Sequence, residues 1–186
     1  MKRRPRGYFS PGERRNMTRI LFICHGNICR SPMAEFVMKD LTEKAGLSDE
    51  FEIASAATSG EEIYTDPRTG RERGNPVYPP ARRMLLKHGI DCGGKTARRL
   101  LPEDYSRYDL LVCMDLRNIR NTLRISGGDP EHKVRALLDF AGRPGEEVAD
   151  PWYTGDFEAA WKDVLAGCEG LLKEVTAGKV SKSKGK

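Results

Sequence analysis

The chain has 186 residues, of which 38% are hydrophobic and 32% are charged, and these values are typical of a single globular domain with a substantial core. No apolar run approaches the roughly 20 residues that a helix needs to cross a bilayer. The charged N-terminus is not followed by the apolar segment of a secretory signal. We therefore expect a cytoplasmic protein without a membrane partner.

The net charge of +5 lies at the two ends of the chain. Residues 1–16 contain six basic residues and one acidic residue, and residues 173–186 contain five and one, which leaves residues 17–172 with a net charge of −4. A basic folded surface, which would indicate nucleic-acid binding, is therefore not expected. We expect both ends to be disordered, with an N-terminal extension over residues 1–16, a folded domain over 17–176 and a C-terminal tail over 177–186.

Short apolar and β-branched runs alternate with segments of helical periodicity along the folded part. We predict strands at 19–23, 51–58, 108–114 and 133–140, helices at 32–45, 81–89, 116–123 and 157–172, and a long charged loop at 64–80. Strands that alternate with helices form a parallel sheet covered on both faces, and such sheets bind ligands beyond the carboxyl ends of their strands. The predicted fold class is therefore α/β, and the loop after the first strand lies at the ligand-binding edge.

The first strand leads into the sequence CHGNICRSP, which runs from Cys24 to Pro32. A loop between a strand and a helix N-terminus directs several backbone N–H groups into one concavity, where the helix dipole adds positive charge. This arrangement suits an anion such as phosphate. Gly26 permits a positive φ or a close backbone approach, and Asn27 tolerates the left-handed region. Arg30 offers a planar guanidinium to two phosphate oxygens.

The same loop contains a candidate nucleophile. The loop amides and Arg30 would stabilise Cys24 as a thiolate, which is the reactive form of cysteine. The loop could then bind a phosphoryl group and accept it on sulfur. Ser31 has two possible roles, because its hydroxyl can cap the following helix or donate a hydrogen bond to the sulfur of Cys24. Both roles stay open from the sequence.

The segment CHGNICRSP after an apolar strand closely resembles the phosphate-binding loop of the low-molecular-weight protein tyrosine phosphatase family. Further segments follow in the family's order, and the resemblance covers about residues 18–175: SAATSG (55–60), KHGI (87–90), YDLLVCMD (108–115) and DPWYTGDFEAAW (150–161). It implies a three-layer sandwich, with a four-stranded parallel sheet between helices and the phosphate-binding loop after the first strand. It also implies hydrolysis of phosphotyrosine through a phosphocysteine on Cys24, without a metal or another cofactor. The implied partners are tyrosine-phosphorylated proteins and, in the loop, phosphate or another oxyanion.

The resemblance assigns roles to residues outside the loop. Asp150 corresponds to the general acid, which protonates the leaving phenol and then acts as a base on water, whereas the local sequence alone favours an Asp-Pro turn. Trp152 and Tyr153 correspond to the aromatic walls that hold a phenyl ring, and packing of Trp152 in a core is the alternative. Within the loop, the implied substrate-binding residues are His25, Gly26, Asn27, Ile28, Cys29 and Ser31.

Three further correspondences concern support and specificity. Ser55 corresponds to a serine that supports Asn27, and Cys29 to a thiol that forms a reversible disulfide with the nucleophile and protects it from deeper oxidation. The family often has an aromatic residue two positions after the serine that corresponds to Ser59, but this chain has Glu61 there. This difference leaves the preference among peptides open, and the insertion near 65–74 could cover the same rim.

Two related activities are compatible with the loop. Protein-arginine phosphatases also resemble this sequence, but they carry threonine where this chain has Ile28, whose aliphatic side chain suits an aryl ring. Arsenate reductases share the fold and the loop, but they need a second cysteine about seven residues after the position of Cys113. This chain has Arg120 there, so tyrosine phosphatase activity is favoured over both.

Two interpretations do not involve phosphoryl transfer. A structural zinc module could use Cys24, His25 and Cys29, but such a site needs about four ligands. A non-catalytic module that binds phosphoproteins is disfavoured because Arg30 and Asp150 are both present. The sequence therefore favours an enzyme.

Overall fold

The computed structural model describes residues 17–183 of the chain, so the predicted extension over residues 1–16 lies outside the described part. The elements in chain order are β1 (Thr18–Cys24), α1 (Arg30–Lys44), β2 (Phe51–Ala57), β3 (Ile63–Thr65), β4 (Glu72–Gly74), α2 (Pro79–Lys87), α3 (Asp104–Arg107), β5 (Leu110–Cys113), α4 (Leu116–Ser126), β6 (Val134–Ala136), α5 (Pro151–Thr154) and α6 (Phe157–Ser183). Short 3-10 helices occur at Ser48–Glu50 and Leu137–Ala141.

Four strands form one parallel sheet in the order β2-β1-β5-β6. β1 lies in the middle, with β2 paired along its whole length on one side and β5 paired with Ile20 to Ile23 on the other. Central parallel strands are buried on both faces and therefore consist of continuous apolar runs, as β1 does from Ile20 to Cys24. The predicted α/β fold with four parallel strands is confirmed.

Helices cover both faces of the sheet. Successive side chains of β1 point to opposite faces, so that Ile20 and Phe22 pack in a core with α1, α2 and α6, whereas Leu21 and Ile23 pack in a smaller core with α3 and α4. The molecule therefore has the predicted three layers. The carboxyl end of β1 and the loop after it lie at the edge where β2, β5 and β6 also end.

The fourth predicted strand is shorter than expected. We predicted a strand over 133–140, but β6 ends at Ala136 and a 3-10 helix follows. Leu137, Leu138 and Phe140 of this helix are buried in the same core as α6. The apolar run is therefore real, but only its first part pairs with β5.

Two further segments differ from their predictions. The loop predicted over 64–80 contains most of an antiparallel hairpin formed by β3 and β4. α6 continues beyond Leu172 to Ser183, so part of the C-terminal segment that we expected to be disordered is helical. None of the helices in the described part of the chain has the length and apolar character of a membrane-spanning segment.

Candidate active site

The loop after β1 wraps around the sulfur of Cys24. Asn27 adopts a left-handed conformation, with φ of 59°, as the sequence predicted. This turn directs the Asn27 N–H toward Cys24 Sγ, at 3.2 Å, and Ser31 Oγ lies 3.0 Å from the same sulfur. The Cys24 side chain is buried at the bottom of the loop. Two polar groups therefore face the sulfur and can stabilise negative charge on it.

Ser31 does not cap the helix. α1 begins at Arg30, its N-cap is Cys29, and no side chain accepts a capping hydrogen bond there. The hydroxyl of Ser31 instead lies between Cys24 Sγ and the side-chain amide of Asn27, which donates to it at 2.9 Å. Of the two roles that the sequence left open, the structure therefore supports contact with the sulfur.

The guanidinium of Arg30 is buried and held by two carboxylates. Its Nη1 donates to Asp115 Oδ2 at 2.8 Å, and its Nη2 lies 2.8 Å from Asp150 Oδ2. Burial acts to lower the pKa of Arg30, but the negative charges of Cys24, Asp150 and Asp115 oppose it and raise that pKa above its ordinary value. Arg30 is therefore a permanent cation next to the nucleophile.

Asp150 reaches this position from a distant part of the chain. It is the N-cap of α5, where its Oδ1 accepts a hydrogen bond from the Trp152 N–H at 3.1 Å and Pro151 occupies the first turn. This capping orients the other carboxylate oxygen toward Arg30. The Asp-Pro turn and the site residue, which the local sequence presented as alternatives, are thus the same structure.

A cleft of about 630 Å³ opens above the loop. Trp152 and Tyr153 line one side of it and are 56% and 80% exposed, so Trp152 does not pack in the core. The ring of Trp152 lies 5.2 Å from that of Tyr78, a residue of the predicted long charged loop. Ile28, 8% exposed, adds an apolar surface. A flat aromatic ring can be held among these side chains.

A chain of hydrogen bonds supports the loop from below. The Asn27 amide donates to Ser55 Oγ at 2.8 Å, and Ser55 donates in turn to Glu35 at 2.5 Å. Glu35 also pairs with Lys95 at 3.0 Å and Lys39 at 2.5 Å. Ser55 thus contacts Asn27 as the resemblance implied, and the buried Glu35 with its two lysines extends the support.

The rim on the β2 side is acidic. Glu61 lines the cleft and its Oε2 lies 2.9 Å from Nε2 of His25. Glu62 lies beside it, close enough to Gly26 that a Cβ there would meet the Glu62 side chain at 3.1 Å. Gly26 therefore permits a close approach and has no positive φ. Residues 65–74, which could have covered this rim, do not line the cleft.

Cys29 is the second thiol of the loop. Burial, followed by the negative charge of Cys24, raises the pKa of Cys29 to about 12. Cys29 therefore keeps its proton at neutral pH and is a poor nucleophile. Both thiols are free in this structure.

Asp115 and Glu35 are the main residues that the sequence analysis missed. Asp115 directly follows the apolar run of β5, and its Oδ1 caps α4 by accepting from the Asn118 N–H at 2.6 Å. A carboxylate at the carboxyl end of a predicted parallel strand was a sufficient signal to nominate it. Glu35 had no such signal, because an acidic residue inside a helix is usually exposed. Within residues 17–183, no three metal-binding side chains converge on one point.

Comparison with known proteins identifies one family. The family model described as low molecular weight phosphotyrosine protein phosphatase matches residues 19–181. A protein-tyrosine-phosphatase of this class from Bacillus subtilis, YfkJ, is 34% identical over 160 residues, which cover 86% of this chain and 96% of YfkJ. The human low molecular weight phosphotyrosine protein phosphatase is 33% identical over 159 residues, which cover 83% of this chain and 94% of the human protein.

Solved structures are similar as well. The crystal structure of YfkJ superimposes with a TM-score of 0.80 at 33% identity and covers 91% of this chain and 99% of YfkJ. The crystal structure of DARP, a Drosophila arginine phosphatase, gives a TM-score of 0.71 at 26% identity, with 84% and 96% of the two chains covered. The chain therefore belongs to the low molecular weight phosphotyrosine protein phosphatases, a family of hydrolases.

Proposed function

We propose that this chain hydrolyses phosphotyrosine in protein substrates through a phosphocysteine intermediate on Cys24. The convergence of three groups on one cleft carries the proposal: the sulfur of Cys24, the guanidinium of Arg30 and the carboxylate of Asp150. These three groups are what transfer of a phosphoryl group to sulfur requires, namely a nucleophile, a cation for the transferring oxygens and an acid for the leaving group.

In the first step, the thiolate of Cys24 attacks phosphorus and the bond from phosphorus to the phenolic oxygen breaks. Arg30 and the loop N–H groups bind the equatorial oxygens of the transferring group. Asp150 gives its proton to the departing oxygen, so that neutral tyrosine leaves. The lone pair of the thiolate forms the new sulfur–phosphorus bond, so the sulfur loses its negative charge.

In the second step, water attacks the phosphocysteine. Asp150 accepts a proton from that water, and the sulfur–phosphorus bond breaks to release inorganic phosphate and the Cys24 thiolate. The hydroxyl of Ser31, 3.0 Å from the sulfur, can donate a hydrogen bond to the returning charge. The reducing cytoplasm, the location that we expected from the sequence, would keep this thiol free.

The walls of the cleft favour tyrosine over arginine as the phosphorylated residue. Ile28 presents an aliphatic side chain with no acceptor for a guanidinium, and Trp152, which contacts the ring of Tyr78, and Tyr153 line the cleft with aromatic rings. We assign the substrate-binding role to the loop residues His25 to Ser31 and to Trp152 and Tyr153. The reversible disulfide between Cys24 and Cys29 stays a prediction, as do the domain limits of 17–176.

The proposal is tested by hydrolysis of aryl phosphates and phosphopeptides. Cys24→Ser should abolish turnover, whereas Cys92→Ser, which changes another buried thiol away from the cleft, should retain it. Asp150→Ala should lose about 10²- to 10⁴-fold on phenyl phosphate, whose leaving group is as basic as tyrosine, and much less on p-nitrophenyl phosphate. Trapped wild-type enzyme should carry phosphate on Cys24, detectable by mass spectrometry.

Two results would overturn the proposal. Turnover that survives Cys24→Ser would exclude the phosphocysteine route. Faster hydrolysis of a phosphoarginine peptide than of the matched phosphotyrosine peptide would reassign the substrate and leave the chemistry on sulfur intact.

A further inference from the structure

The two sides of the cleft differ in their charged side chains. Glu61 and Glu62 line it on one side, and Arg117 and Arg120 line it on another. The sheet order explains this separation, since the loop with the two glutamates follows β2 and the helix with the two arginines, α4, follows β5. β2 and β5 flank β1 on opposite sides, so the Cys24 loop lies between the two charged walls.

The two arginines are available for a ligand. Both are exposed, and among the side chains of residues 17–178 neither has a salt-bridge partner. Residues three apart on a helix are neighbours on its surface, so the two guanidiniums can act together. The nearby carboxylate of Asp115 is already bound to Arg30, and that of Glu147 accepts a hydrogen bond from the Leu116 N–H at 2.9 Å.

Asn118, between the two arginines in sequence, provides a second observation. Its side chain is fully buried and lines the cleft, yet within the described part of the chain neither its amide nitrogen nor its amide oxygen has a hydrogen-bond partner. Buried polar groups are almost always hydrogen-bonded. An unpaired amide beside two unpaired arginines therefore indicates a place where a polar ligand completes the wall.

We propose that Arg117 and Arg120 form a subsite for a carboxylate side chain that flanks the phosphotyrosine of a peptide substrate. The inference rests on the proposed function and specifies which sequences around the phosphotyrosine the enzyme prefers. A guanidinium binds a carboxylate through two parallel hydrogen bonds, and an acidic residue next to the phosphotyrosine would reach α4 while the phosphate occupies the Cys24 loop. Peptides that are acidic on this side of the phosphotyrosine are preferred.

The opposite wall makes the preference directional. Glu61 is largely exposed and its Oε2 lies 2.9 Å from His25 Nε2, and Glu62 accepts a hydrogen bond from Asn75 at 2.8 Å. An acidic flank on this side lies near two carboxylates of the same charge and gains no binding energy from them. The enzyme therefore distinguishes a peptide with its acidic residues before the phosphotyrosine from a peptide with the same residues after it.

The test uses three phosphotyrosine peptides of equal length: one with an acidic N-terminal flank, one with an acidic C-terminal flank and one with neutral flanks. Wild-type enzyme should prefer one of the acidic peptides to the neutral one by about three- to tenfold in kcat/KM, mainly through KM, and should not prefer the other. The preference should fall strongly in 0.5 M NaCl, because exposed charges are screened. The variant R117Q/R120Q should lose it, and R124Q, a change on the same helix outside the cleft, should keep it.

A charge-reversal variant distinguishes loss of the subsite from loss of folding. R117E/R120E should prefer a peptide with lysines in the favoured flank, and loss of structure cannot produce such a gain. Equal rates on all three peptides with wild-type enzyme, or a preference that survives in R117Q/R120Q, would overturn the subsite. Absence of p-nitrophenyl phosphate hydrolysis by wild-type enzyme would overturn the proposed function and the subsite together, whereas hydrolysis without peptide discrimination overturns the subsite alone.

Discussion

Replacing Glu35 by glutamine should destabilise the protein and loosen the loop around Cys24. The Glu35 carboxylate is 5% exposed, pairs with Lys95 and Lys39, and accepts a hydrogen bond from the Ser55 hydroxyl. Removing one member of a fully buried ion pair costs about 3–5 kcal/mol. Since the Lys39 side chain is 44% exposed and can be solvated when its partner is gone, we expect a loss of about 2–3 kcal/mol.

The stability lost in Glu35→Gln depends on pH, and the groups around Glu35 set the direction of this dependence. Burial acts to raise the pKa of Glu35, but the charge of Lys95 and the hydrogen bonds from Lys39 and Ser55 outweigh it, so the pKa is lowered in the folded protein. A carboxylate with a lowered pKa stabilises the fold above its unfolded pKa, about 4.3, and this contribution is lost as the pH falls through the folded pKa. The variant should therefore differ most from wild type near neutral pH and progressively less below about pH 4.

Thermal unfolding from pH 7 to pH 3 measures both effects. For a chain of this size we expect the melting temperature of Glu35→Gln to be lower by about 4–12 °C at pH 7, together with a lower kcat/KM on p-nitrophenyl phosphate. Glu43→Gln is the matched control, because Glu43 lies exposed on the same helix and should change the melting temperature little. A difference from wild type that is equally small for both variants, or that stays constant down to pH 3, would refute the reasoning.

Three further outcomes are expected. Asp115→Asn removes a charged hydrogen bond from Arg30 but keeps a side chain that can cap α4, so kcat/KM should fall about 10- to 100-fold with little change in melting temperature. Gly170→Ala places a Cβ 2.0 Å from a carbonyl oxygen of the facing 3-10 helix and should destabilise by about 1–3 kcal/mol, whereas Gly178→Ala on the same helix meets nothing within 4 Å and should not destabilise. Trp152→Ala should raise KM for phosphotyrosine about three- to tenfold and leave the inhibition constant of inorganic phosphate unchanged.

The fold was predictable where burial imposes a pattern. β1 and β5 are apolar because both of their faces are covered, and α6 has a continuous stripe because it packs on the core. The hairpin of β3 and β4 was missed because its residues are mostly exposed, so that no alternation of apolar and polar residues marks it. The end of β6 was missed because an apolar run of this length is compatible with either a strand or a helix.

The active site likewise has a part that was predictable from the sequence and a part that was not. Cys24, Arg30 and Asn27 belong to one loop, and the conformational and chemical properties of these residue types were enough to predict an anion site. The aromatic contact between Tyr78 and Trp152 joins residues that are far apart in the sequence, and only the tertiary fold brings the N-cap of α2 close to α5. The pairing of Asp115 with Arg30 likewise depends on side-chain geometry that no local pattern encodes.

The two carboxylates on Arg30 are held differently, and this difference fits the proposed reaction. Asp115 is fixed by the Asn118 N–H and is 14% exposed, whereas Asp150 is 28% exposed and caps a helix of only four residues. A phosphate that binds Nη2 of Arg30 in place of Asp150 would release this carboxyl group from its ion pair. In the reaction proposed above, Asp115 would then keep Arg30 in position while Asp150 turns toward the leaving oxygen.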